Sequence, residues 1–172
     1  MNAINITDGL DGLAGGMSLI VLGVLGVVLF MTKWYLATTI VGILTGSILA
    51  FLWFNIHPAK IFMGDAGALG LGGIVATLVY MINMRFGIFF PFMLLFLLFR
   101  LDFLSSALQL FRKKCFRKKL FPIAPFHHLL EHKGQAETTI VMKFRLLQGV
   151  LGMVVMIGIL YQWYGDVGSL FP

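Results

Sequence analysis

The sequence predicts an all-α integral membrane protein, with about five transmembrane helices and one amphipathic helix at the membrane interface. Three observations carry this. Hydrophobic residues make up 59% of the 172-residue chain and charged residues only 12%, against about 25% charged in soluble domains. Five long apolar runs fill most of the chain, more than the core of so small a soluble protein could hide. The net charge of +6 is also unevenly placed. Most of it lies in one segment, 101–139, which points to the membrane surface and away from nucleic acid. A single cysteine, Cys115, excludes an internal disulfide and a cysteine-built metal site. Residues 1–172 read as a single membrane domain.

In chain order, residues 1–16 are rich in turn formers and predict a loop. The apolar runs follow at Met17–Met31, Tyr35–Phe54, Leu69–Met84, Phe86–Phe99 and Leu146–Trp163. Asn83 and Arg85 separate the third run from the fourth, since both favour water. Five crossings put the first loop, the Asn55–Gly67 connection and the 101–139 segment on one side. Lys60, Arg100, Arg112, Lys113, Lys114, Arg117, Lys118, Lys119, Lys133, Lys143 and Arg145 then share that side, with only Lys33 and Arg85 opposite. By the positive-inside rule the crowded side is cytoplasmic. Asp8, Asp11, Asp65, Asp102, Glu131 and Glu137 fall there too, and only Asp166 does not. Within 101–139, Phe103, Ala107, Leu108 and Phe111 have helical spacing and run into Arg-Lys-Lys-Cys-Phe-Arg-Lys-Lys, which predicts an interfacial helix ended by Pro122 and Pro125. Topology alone also accounts for these basic residues.

The candidate functional residues lie in the polar segments. Asp65 sits between Gly64 and Gly67 at the edge of an apolar run, where a carboxylate is costly and marks a functional site; it could also cap the helix that follows. Asp8 and Asp11 are three residues apart and would share a face of a helical turn, as Mg²⁺ ligands or as helix-end acids. His127 and His128 suit phosphate binding or proton transfer, and the loop supplies too few further ligands for zinc. Phe62 suits stacking on a planar base or plain packing. Together these residues suit a metal-assisted reaction on a phosphorylated, membrane-bound substrate. A transporter is the competing class, but its polar groups would sit at mid-helix.

Three motifs carry a resemblance: Asn2-Ala-Ile-Asn-Ile-Thr-Asp-Gly-Leu-Asp-Gly-Leu-Ala, Phe54-Asn-Ile-His-Pro-Ala-Lys-Ile-Phe-Met-Gly-Asp-Ala-Gly and Ala124-Pro-Phe-His-His-Leu-Leu-Glu-His-Lys-Gly. In this order and spacing the chain resembles the polyprenyl-phosphate N-acetylhexosamine-1-phosphate transferases, above all their lipid I-forming branch. The resemblance implies transfer of phospho-MurNAc-pentapeptide from UDP-MurNAc-pentapeptide to undecaprenyl phosphate. It implies Mg²⁺, a bacterial inner membrane and cytoplasmic active-site loops. Transfer of GlcNAc-1-phosphate, or an inactive membrane scaffold, are the alternatives. Asp65 and Asn2 match metal positions, with Asp8, Asp11, His127 and His128 in catalytic positions. Asn5, Asn55 and Phe62 match positions around the nucleotide. Leu129 stands where the family has a third histidine. The family's acidic pair and lysine lie in a first half that has no counterpart in these residues. The chain is therefore expected to form the C-terminal half of a ten-helix transferase, completed by an N-terminal half or by a second copy.

Overall fold

A computed structural model describes residues 1–117 and 120–168. Lys118 and Lys119 of the basic cluster lie outside the described residues, as does the side chain of Asp166. The described residues form eight helices and no strand: α1 (Asn2–Thr7), α2 (Leu13–Met31), α3 (Tyr35–Asn55), α4 (Gly64–Phe86), α5 (Phe89–Leu95), α6 (Leu97–Phe116), α7 (Phe126–His132) and α8 (Glu137–Gly168). Four are long and apolar enough to cross a membrane: α2, α3, α4 and the Glu137–Trp163 part of α8.

The organising helix is α2. Leu13, Ala14, Met17, Leu22, Leu25 and Leu29 are fully enclosed, because α3 and α8 flank it and α1 and α4 also touch it. By contrast α3 buries only Ala37, Val41, Ile48, Leu52 and Asn55 and leaves Leu36, Ile43 and Trp53 exposed. An apolar helix with an apolar outer face belongs against lipid. At one end of the bundle Arg85 lies 5.8 Å from the centroid of the Trp34 ring. This contact brings together the two short connections assigned to the same side from their charges.

Two predicted elements differ. The expected loop at 1–16 contains α1, and α2 begins at Leu13. Packing of α1 against α4 and α6 overrides its poor helix formers. The fourth apolar run is not one helix but α5 followed by α6, with the break at Phe96. Gln148 of α8 crosses to the break and donates from Nε2 to the Leu95 carbonyl at 2.8 Å. This satisfies a backbone group that a break leaves open in hydrocarbon. The α5–α6 pair still carries the chain from the Arg85 end to the opposite end. Past the break, α6 becomes the expected amphipathic helix. Leu104, Leu108, Leu110 and Phe111 are exposed along it, and Lys113 and Lys114 lie in its last turn.

Candidate active site

The site is built on the turn between α1 and α2, residues 8–12. Gly12 makes that turn possible: it caps α2 with a left-handed φ of 71°, which side-chain-bearing residues rarely adopt. Asn55, buried at the end of α3, fixes the turn. Its Oδ1 accepts from Gly12 N at 3.0 Å and its Nδ2 donates to the Ile61 carbonyl at 2.8 Å. Arg145 of α8 holds the other face, donating to the Gly12 carbonyl at 2.6 Å. One glycine peptide is thus gripped from two distant helices.

The two aspartates of the turn face different ways. Asp8 ends α1 and comes close enough to Asp65 to feel its charge. Burial, and secondly the Asp65 carboxylate, push the Asp8 carboxyl above its ordinary value. Asp11 instead accepts from Ala59 N and pairs with His57 Nδ1 through Oδ2, both at 3.0 Å. Its own N–H donates to Glu137 Oε1 at 2.6 Å, and Glu137 Oε2 is 3.5 Å from His57 Nδ1. Asp11, His57 and Glu137 converge closely enough to hold a metal ion. Asp8 and Asp11 therefore do not lie on one helical turn, because α1 stops at Thr7.

The remaining predicted residues divide. Asp65 lies exposed in the first turn of α4, which has no side-chain cap bond, so it does not cap that helix. Phe62 is 75% exposed just before it. Asn5 lies one turn before Asp8. Asn2 opens α1, about 9 Å along the helix axis from Asp8. Of the two expected metal positions, Asp65 is the one whose charge reaches Asp8. His127 is fully enclosed, and His128 is partly exposed with its Nδ1 2.9 Å from Glu131 Oε2. Both histidines approach the turn at Gly9, where a Cβ would lie 2.5 Å from His127 Nε2 and 3.2 Å from His128 Nε2.

Sequence reasoning missed His57, Glu137, Arg145 and Asp102 as partners. His57 and Glu137 stand inside or next to the motifs already singled out, which is the signal that could have flagged them. Asp102 is an acid flanked by apolar residues, the pattern that marked Asp65.

Fold and site together define a multi-pass, all-α membrane protein with an acid- and histidine-rich site at one end of its bundle. Residues 1–83 match the model of glycosyl transferase family 4. The phospho-N-acetylmuramoyl-pentapeptide-transferase of Dictyoglomus thermophilum is 44% identical over 165 residues, covering 95% of this chain and 50% of that protein. Proteins of the same name from Staphylococcus carnosus and Clostridium acetobutylicum are 37% and 34% identical, covering 89% and 92% of this chain and 46% and 49% of their own. Its first 83 residues are thus similar to glycosyl transferase family 4, and the chain spans about half the length of the curated relatives it matches.

Proposed function

We propose that this chain serves in the transfer of phospho-MurNAc-pentapeptide from its UDP-linked donor to undecaprenyl phosphate, giving lipid I and UMP. In this reading the 172 residues form one membrane domain, the C-terminal half of the transferase, in the bacterial inner membrane. The Asp8, Asp65 and His127 end of the bundle faces the cytoplasm, where the nucleotide donor is found. The observation that carries the reading is the convergence on one turn of three separate segments, 8–12, 55–65 and 127–137, with Asp8 and Asp65 left as close, uncompensated acids. The named relatives at 34–44% identity support the same reaction.

Mg²⁺ is the metal proposed. Asp65 and Asp8 would hold it: an oxygen-only pair leaves room for waters and phosphate oxygens, as Mg²⁺ prefers. The Asp11, His57 and Glu137 group offers a nitrogen as well, and its members are already bonded to one another and to backbone. When bound, the ion offsets the diphosphate charge and stabilises the leaving UMP. The chain's own residues supply the positioning. Asn55 fixes Ile61, and so presents the neighbouring Phe62 ring for stacking on uracil. Asn5 lines the turn beside the nucleotide. Asp11, through His57 and Glu137, locks the turn to α8, and His127 and His128 approach it at Gly9. The basic end of α6 favours the anionic lipid phosphate.

The test is a lipid I assay on the purified chain with Mg²⁺, with and without a co-expressed N-terminal half. Product that needs the complement is the expected result, and no product in either case overturns the reading. Supplying UDP-GlcNAc in competition separates the GlcNAc-1-phosphate alternative, and donor use is expected to favour UDP-MurNAc-pentapeptide.

A further inference from the structure

Asp102 has no part in the reaction as described so far, yet it is the one fully buried acid among the described residues. Its oxygens are both committed to one residue. Oδ1 accepts the His127 main-chain N–H at 3.3 Å, and Oδ2 lies 3.0 Å from His127 Nδ1, with both side chains 0% exposed. Oδ1 thus takes the main-chain N–H, and Oδ2 is placed to take an Nδ1–H. Once Nδ1 gives its proton to this bond, Nε2 of the neutral ring carries a bare lone pair.

That Nε2 is enclosed and without a hydrogen-bond partner. It rests on Gly9, an exposed residue with no side chain, and a Cβ there would lie 2.5 Å away. The unpartnered nitrogen therefore lies against the turn that carries Asp8 and Asp11.

We propose that Asp102 is a positioning residue, which fixes the His127 proton on Nδ1 and holds Nε2 as the acceptor for the O–H of a phosphomonoester brought to the Asp8–Asp11 turn. The proposal rests on the transferase function above and deepens it. A phosphomonoester keeps one O–H until its second ionisation, at a pKa of about 6. Once the Gly9 turn that covers Nε2 shifts aside, that proton passes to Nε2, and the O–H electron pair stays on the phosphate oxygen. The oxygen then bonds to the β-phosphorus of the donor. The bond from that phosphorus to the bridging oxygen breaks, its electron pair leaving with UMP. The Nε2 proton returns to the departing phosphate. Throughout, the imidazolium keeps the Asp102 carboxylate on its Nδ1–H, the role of the acid beside a catalytic histidine in hydrolases.

The full chain in nanodiscs, labelled with ¹⁵N-histidine, provides the test. Wild type is expected to show His127 protonated at Nδ1 and bare at Nε2. Dodecyl phosphate added to the bilayer should move the Nε2 signal more than the Nδ1 signal. In Asp102→Asn the amide oxygen still accepts the main-chain N–H, so the NH₂ group faces Nδ1 and the ring proton is expected to move to Nε2. In the complemented transfer assay this variant should lower kcat at least tenfold and leave KM for the UDP-linked donor unchanged, with Asp102→Glu recovering part of the loss. The proposal is overturned by a wild-type Nε2 that already carries the proton, by an Nε2 signal indifferent to dodecyl phosphate, or by an unchanged kcat after the proton has moved. The two wild-type measurements hold even if Asp102→Asn does not fold. If they come out as expected while the complemented protein makes no lipid I, the function assigned above fails and the fixing of the His127 proton stands.

Discussion

Gly9 carries two imidazoles, and its missing side chain is what lets them reach the turn. Gly9→Ala places a methyl group 2.5 Å from His127 Nε2. The ring cannot yield easily, because Asp102 holds its other edge. Overpacking of this kind costs about 1–3 kcal/mol. Denaturant titration in micelles should show that loss, whereas Gly23→Ala, which meets no atom within 4 Å, should show little. Asp8 makes the opposite prediction. Its carboxyl is pushed up by burial and by Asp65, so the folded state keeps this proton to a higher pH than the unfolded chain. Stability is therefore lost as pH rises from the unfolded value near 3.8 through the raised folded value. Asp8→Asn should raise the Tm at pH 7 and change it little below pH 4, and Mg²⁺ should raise the wild-type Tm more than that of the variant. Asp65→Asn should cut lipid I formation in the complemented protein at least a hundredfold, as loss of a metal-held charge in phosphoryl transfer would. Full activity in that variant would remove Asp65 from the metal site.

Among the elements, the long apolar helices were legible because hydropathy alone marks them. The two that were not, α1 and the α5–α6 break, depend on partners. In α1, Asn2, Asn5 and Thr7 read as turn formers, and only the surfaces of α4 and α6 make them helical. The break at Phe96 rests on Gln148, 53 positions from the Leu95 carbonyl it meets, which no local pattern connects to it. The same holds for the site. Its motifs were visible, but the separation of Asp8 from Asp11, and the pairing of Asp102 with His127, follow from where helices end in space. The connection from α6 to α7 depends on one side chain. Gln109 accepts from Leu120 N and Phe121 N and donates to the Phe121 carbonyl, each at 2.9 Å. Gln109→Ala should speed hydrogen exchange at the Phe121 amide, with the α2 core amides unchanged.

At the scale of the molecule, the charge count and the structure agree on which loops share an end, since Arg85 meets Trp34 at one and Asp11, His57 and Glu137 meet at the other. Cys115, exposed on α6, should accordingly react with an impermeant maleimide only from the cytoplasmic face; labelling from the periplasm would invert the topology. The broken α5–α6 passage has a further consequence for the surrounding lipid. From Phe89 to Asp102 the helical rise amounts to about 20 Å, against roughly 30 Å of hydrocarbon in a typical bilayer. A bilayer matched to that length would be thinner on this flank than around the longer helices α2, α3 and α4. If the chain serves the transfer proposed above, such thinning would bring a lipid-linked phosphate closer to this end of α6.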